Sequence, residues 1–160
     1  MAKSWTNLAG GLWTEPLDWV GGVPTATDDA TINNAGTYTV TLASGDTDVA
    51  HSLTIGDVSA TVELLGSATL TLGNATTGGL TNAGTLKLTG ATSQVSGVNI
   101  VNTGTITTAA GSSLTARGTS GTNGTFTKNA GSTTIGGALN AANVSILSGT
   151  FTDNGTFTNT

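Results

Sequence analysis

His51 is the only histidine in the 160-residue chain, so an imidazole acid–base relay has one place to start. A nucleophilic set would join it to a hydroxyl and a carboxylate, with Asp46 or Asp48 the nearest acids before it in sequence. No Gly-x-Ser-x-Gly elbow accompanies it. The ordinary reading is a turn or surface histidine ahead of Ser52-Leu53-Thr54. Asp28-Asp29 and Asp46-Thr47-Asp48 offer oxygen ligands of the kind calcium takes. Neither pair lies in an EF-hand loop, the Gly-Gly-x-Gly-x-Asp repeat of calcium-binding β-rolls is missing, and Gly45-Asp46 reads as a plain turn. Cleavage of a polysaccharide by hydrolysis needs two carboxylates across one bond. Beyond Glu63 the only acid is Asp153. Lys87, Arg117 and Lys128 are too far apart along the chain to share a groove and read as solvated charges. The expectation is a non-enzyme with no catalytic, cofactor-binding or metal-ligating residues and no cofactor.

Hydroxyl groups are the more promising chemistry. Thr-x-Thr occurs at Thr37-x-Thr39-x-Thr41, Thr69-x-Thr71, Thr105-x-Thr107, Thr125-x-Thr127, Thr150-x-Thr152 and Thr156-x-Thr158. On a strand, residues i and i+2 share one face, so stacked pairs would make a flat grid resembling the ice-binding surfaces of small solenoids. Thr85-Leu86-Lys87 interrupts that grid, and threonine is also simply a polar residue suited to strands. The sequons at Asn74-Ala75-Thr76, Asn123-Gly124-Thr125, Asn143-Val144-Ser145 and Asn154-Gly155-Thr156 are what an Asn/Thr-rich composition produces by chance.

Such a grid requires a β scaffold, and the composition supplies one. Charged residues are 8% and hydrophobic residues 36%, the opposite of a disordered chain. Eight of the nine acids fall at or before Glu63, and the chain is acidic overall at net charge -5, so nucleic acid is not an expected partner. Cysteine is absent, which removes disulfides and thiolate metal sites. No apolar run is long enough to span a membrane as a helix, so no membrane insertion is expected. Met1–Trp13 carries no signal-like apolar core.

Glycine spacing gives the architecture. From Gly84 glycines fall at Gly90, Gly97, Gly104, Gly111, Gly118, Gly124, Gly131 and Gly137, in steps of six or seven residues. Three steps make about 20 residues, and Asn82-Ala83-Gly84-Thr85, Asn102-Thr103-Gly104-Thr105 and Thr122-Asn123-Gly124-Thr125 recur at that interval. Related turns stand at Asn34-Ala35-Gly36-Thr37 and Asp153-Asn154-Gly155-Thr156. Repeats of this length indicate a solenoid. Between glycines the segments alternate, as in Thr85-Leu86-Lys87-Leu88, which places apolar side chains inward on a strand. Glycine and asparagine supply the positive φ that sharp corners commonly need. The expected fold is all-β: a right-handed parallel β-helix with about 20 residues and three short strands per coil. The right hand follows from the crossover preference of parallel strands. Leu86, Ile106, Phe126 and Ile146 should form one buried column. A helix is excluded, since glycine every seventh residue would cost about 1 kcal/mol each time.

Residues 1–60 differ, holding Trp5, Trp13, Trp19, Pro16 and Pro24. They are expected to form an N-terminal capping segment with the first coils, because a solenoid end must be closed against edge pairing. Residues 61–160 are the repeats, expected to continue or to stack on another molecule.

Trp5, Gly10-Gly11, Trp13, Trp19, Gly21-Gly22-Val23-Pro24 and Asp28-Asp29-Ala30 resemble the start of bacterial giant adhesins and autotransporter-type repeat proteins with a pectin-lyase-like parallel β-helix. Ser52-Leu53-Thr54-Ile55-Gly56, Ala68-Thr69-Leu70-Thr71-Leu72-Gly73 and the Asn-x-Gly-Thr turns extend the likeness over the chain. The resemblance implies a structural or adhesive role in a secreted or cell-surface protein, extracellular, in attachment or biofilm formation. Independently of the resemblance, the repeat pattern leads to the expectation of self-association by end-to-end stacking at the C-terminal end, as a fibre; glycans or surfaces are the other expected partners. The alternatives are a polysaccharide-binding or polysaccharide-cleaving β-helix and an ice-binding solenoid.

Overall fold

The computed structural model describes residues 1–74, 76–118 and 123–159. Four-residue strands dominate, most of them alternating an outward polar residue, commonly Thr, Ser or Asn, with an inward apolar one. They stack into three sheets that form a parallel β-solenoid of about six coils, averaging about 23 residues per turn.

Sheet A runs through β3 (Trp19–Val20), β1 (Ala2–Trp5), β4 (Asp29–Ile32), β7 (Ser52–Ile55), β10 (Gly79–Asn82), β13 (Asn99–Asn102), β16 (Thr125–Lys128) and β19 (Asn143–Ile146). Sheet B stacks β2 (Gly11–Leu12), β5 (Thr39–Leu42), β8 (Thr61–Leu64), β11 (Thr85–Leu88), β14 (Thr105–Thr108), β17 (Ser132–Ile135) and β20 (Thr150–Asp153). Sheet C stacks β6 (Thr47–Ala50), β9 (Thr69–Leu72), β12 (Gln94–Gly97), β15 (Ser113–Ala116), β18 (Ala138–Ala141) and β21 (Thr156–Thr158). Among the described residues the strand pairings between coils are parallel, and of the strand pairs only β1–β3 is antiparallel.

The coil is not constant. On sheet A, Leu53 pairs with Leu80, Leu80 with Ile100, Ile100 with Phe126 and Phe126 with Val144. The intervals swing because corners lengthen and shorten while the strands keep one length. This corrects the expected column. Leu86 does lie against Ile106 in sheet B, but Thr133 follows it, and Phe126 stands on Ile100 in sheet A. Ile146 ends a different sheet A column, above Lys128. The connection from Ala116 to Thr125 is longer than that from Gly97 to Asn99 and leaves the chain one corner behind at residue 126, so Asn123-Gly124 leads from sheet C into sheet A, whereas Asn82–Gly84 and Asn102–Gly104 lead from A into B. Thr122 of the third turn and Ala75 of the first sequon lie outside the described residues.

The A-to-B corner is instead continued by Gly131 and Gly149. A Cβ on Gly104 would collide with the carbonyl oxygen of Gly84, one on Gly131 with that of Gly104, and one on Gly149 with that of Gly131. Gly104 does not need positive φ; it needs the absence of a side chain, because the backbones of successive coils touch there. Gly111, with φ at 84°, is a corner of the expected conformational kind.

One continuous core fills the tube, from Trp5 and Trp13 to Leu139 and Ala141. Fully burying a Leu, Ile or Phe contributes roughly 1.5–3 kcal/mol. The N-terminal layer is closed by tryptophans. Trp19 meets Trp13 edge-on with ring centroids 4.8 Å apart and Trp5 at 5.2 Å, and β3 covers the first edge of sheet A.

The interior also holds polar groups. Asn82 Nδ2 donates to Asn102 Oδ1 at 2.7 Å, and Asn102 Nδ2 donates to Thr133 Oγ1 at 2.9 Å. Lys128 overturns the reading of its charge as solvated: it is fully buried, its Nζ donating to the carbonyls of Ala130, Gly131 and Ser148 at 2.8–2.9 Å. It occupies an inward position of β16, stacked on Asn102, so the ammonium caps turns from inside. Lys87 and Arg117 are exposed as expected.

Candidate functional site

Two surfaces carry the chemistry that the sequence offers. The first is the outer face of sheet B. Alternation turns the first and third residue of each strand outward, and the register sets them in two columns. Thr39, Thr61, Thr85, Thr105, Ser132 and Thr150 form one. Thr41, Glu63, Lys87, Thr107, Thr134 and Thr152 form the other. Neighbours stand about 4.8 Å apart up the ladder and roughly 6.7 Å apart along a strand. The grid is fuller than the sequence suggested: Thr85 belongs to it, and only Glu63 and Lys87 break its second column. Those two are adjacent and opposite in charge, which suits neighbouring strands. Thr125-x-Thr127 lies on sheet A and Thr69-x-Thr71 on sheet C, so neither joins this face.

The second lies at one edge of sheet A's outer face. Asp29 opens β4, and β7 begins one coil above it, so Ser52 lies over Asp29 in the ladder. His51 Nδ1 is 2.8 Å from Asp29 Oδ1, and the same oxygen accepts the Ser52 hydroxyl at 2.6 Å. Those two bonds, Ser52 first, hold the Asp29 carboxyl below its ordinary value. On its other side His51 Nε2 lies 3.2 Å from Thr77 Oγ1. Asn74 Oδ1 accepts the backbone N–H groups of Thr76 and Thr77 at 3.0 Å, and so sets the loop that carries Thr77. Beside it a shallow notch of about 170 Å³ is walled by Ser52, Gly78, Gly79, Asn99 and Val101. Gly78 and Gly79, which carry no side chains, lie between Ser52 and Asn99 in its wall.

His51 therefore bonds a different carboxylate from the two suggested by sequence proximity. Asp46 Oδ2 accepts the Ala43 N–H at 2.8 Å and fixes the turn into β6. Asp48 points inward, beneath Leu70 at the first edge of sheet C, with Oδ2 buried and unpartnered. Burial, reinforced by the charge of Asp46, pushes its carboxyl up to about 6. Asp28 accepts the Thr25 hydroxyl at 2.7 Å and pairs with the Met1 amino group at 3.1 Å. These bonds, Thr25 foremost, lower it to about 2. Of the calcium candidates, Asp28 and Asp46 are bonded within their own turns, Asp29 is bonded to His51 and Ser52 of the next coil, and Asp48 points inward. No group of three or more His, Asp or Glu poised for a metal occurs among the described residues. Asp29 stood out in the sequence only as a calcium candidate and Thr77 not at all, because they stand one coil below and one above His51 and only the coil length links them to it.

No protein-family model, curated protein or solved structure matches the chain. The site chemistry must be read from its own geometry. Sheet B offers an extended array of weak hydroxyl donors and acceptors on a rigid ladder. The Asp29–His51–Thr77 group offers an oriented imidazole.

Proposed function

We propose that the chain is a rod-like structural and adhesive segment of a secreted or cell-surface bacterial protein, with the outer face of sheet B as its contact surface. The observation that carries this reading is the in-register hydroxyl ladder from Thr39 to Thr150. Threonine hydroxyls both donate and accept, and their methyl groups add apolar contact, so a neutral polysaccharide or solid surface meets many weak contacts at once. The scaffold supports the role because continuous parallel ladders keep the contacts coplanar. Depositing the protein on cellulose and chitin films tests it. Thr61→Lys with Thr105→Lys should cut adsorption at least tenfold, while Thr54→Lys with Thr127→Lys on sheet A should leave it unchanged. Equal losses from both pairs, or no adsorption of the unmodified chain, would remove the proposal.

Ice is a second reading, favoured by the regular column of Thr39, Thr61, Thr85 and Thr105 with Thr107, Thr134 and Thr152 continuing the column beside it. Thermal hysteresis abolished by Thr105→Lys would select it over the polysaccharide reading. End-to-end association is part of the proposal in narrowed form. A stacked copy would have to use the first edges of sheets B and C, since β3 lies along that of sheet A.

A further inference from the structure

We propose that Asp29, His51 and Thr77 form a nucleophile relay that transfers acyl groups from small activated esters to water through an acyl-Thr77 intermediate. This inference is independent of the role assigned to sheet B. Three observations carry it. First, the order of contacts is that of a carboxylate–imidazole–hydroxyl set: Asp29 Oδ1 to His51 Nδ1 at 2.8 Å, and His51 Nε2 to Thr77 Oγ1 at 3.2 Å. Second, the orienting carboxylate is itself held in place, because Ser52 Oγ donates to the same oxygen and the ladder fixes Ser52 above Asp29. Third, the notch begins at Ser52 and Gly78, the residues next in sequence to His51 and Thr77, so a small acyl group has a place beside the hydroxyl.

The chemistry runs as follows. With Nδ1–H donated to Asp29, Nε2 is free to accept. Thr77 Oγ1 adds to the ester carbonyl carbon while its proton passes to Nε2, and the carbonyl π pair moves onto oxygen. Collapse of that adduct breaks the bond to the leaving oxygen, which takes the proton from Nε2. A water molecule then repeats the sequence on acyl-Thr77, releasing the carboxylic acid and restoring the threonine hydroxyl. No oxidant, metal or second substrate is consumed. Asn74 is a positioning residue: its side chain binds the N–H groups of the loop and also accepts the Thr77 hydroxyl at 3.2 Å, in competition with Nε2.

The carboxylate that faces His51 lies on the layer below. Asp29 faces the imidazole directly, the backbone carbonyl of Asp28 accepts the His51 backbone N–H at 2.7 Å, and the Asp28 carboxylate is turned to the Met1 amino group. The residues above, from Thr76 to Asn82, bear no charge.

The test is p-nitrophenyl acetate hydrolysis by the whole chain, with the acetyl adduct mapped by peptide mass spectrometry. Acetyl on Thr77 and at least a tenfold loss of p-nitrophenolate release in His51→Gln and in Thr77→Val are expected. Thr77→Ser should keep or raise the rate, because a primary hydroxyl is less hindered. If the group only staples its loop to the sheet, the same variants would lower the melting temperature while release stayed at the buffer rate throughout. That result, or acetyl found only on the amino terminus and lysines, would overturn the proposal. Circular dichroism of each variant separates lost chemistry from lost fold.

Discussion

Asp48 is the side chain most at odds with its surroundings. Its carboxyl titrates near 6 when folded and near the ordinary 3.8 when unfolded. Between these values the folded chain holds a proton that the unfolded chain has released, so stability falls as pH rises through that window. Asp48→Asn should raise the melting temperature at neutral pH and change it little below the lower value; thermal melts across the range check this. Asp28 acts in the opposite sense. Its lowered carboxyl stabilises the fold above the ordinary value, and that contribution is lost as pH falls toward about 2. Lys128 gives a second prediction. Truncation to alanine removes a packed stem and frees three carbonyls, and should cost about 3 kcal/mol in chemical denaturation. Lys128→Met should recover the packing share of that loss. Neither residue was legible in the sequence. A lone Asp or Lys in an alternating strand reads as outward, and only the register shows Asp48 beneath Leu70 and Lys128 above Asn102.

At the level of elements, alternation and turns were legible and phase was not. Thr85-Leu86-Lys87-Leu88 and Thr105-Ile106-Thr107-Thr108 pair as their spacing promised, because the corner between them, Asn102-Thr103-Gly104, matches the preceding one. The next interval failed because the connection after Ala116 is longer. The chain then reaches sheet A, not sheet B, at Thr125. A glycine count reports how many corners there are, but it does not say which corner each one turns. The glycines themselves answer to contact between backbones more than to φ. Gly104→Ala should thus destabilise by about 2 kcal/mol through overpacking against Gly84, measured by urea unfolding. Ser113→Ala, on an outward strand position, should be near neutral.

For the whole molecule, the edges decide how copies meet. At the first edge of sheet C, the inward carboxylate of Asp48 discourages a second strand from adding, as inward charges do on exposed edges. Asp48→Leu should increase self-association, seen as a steeper concentration-dependent rise in sedimentation coefficient than that of the unmodified chain. If the variant sediments like the parent, edge protection lies elsewhere. The hydroxyl face was half legible: the Thr-x-Thr pairs were visible, but their membership of one sheet depended on a phase that spacing alone misassigned.

The uneven coils have a further consequence. Deleting or adding one residue inside a strand would turn each following side chain to the wrong side. The same change at a bend, such as the segment between Leu72 and Gly79, is absorbed without moving Leu80 off Leu53. Side loops can therefore grow, shrink or accept a grafted peptide there while the axial repeat of the tube is preserved. The molecule is tolerant around its circumference and exacting along its length.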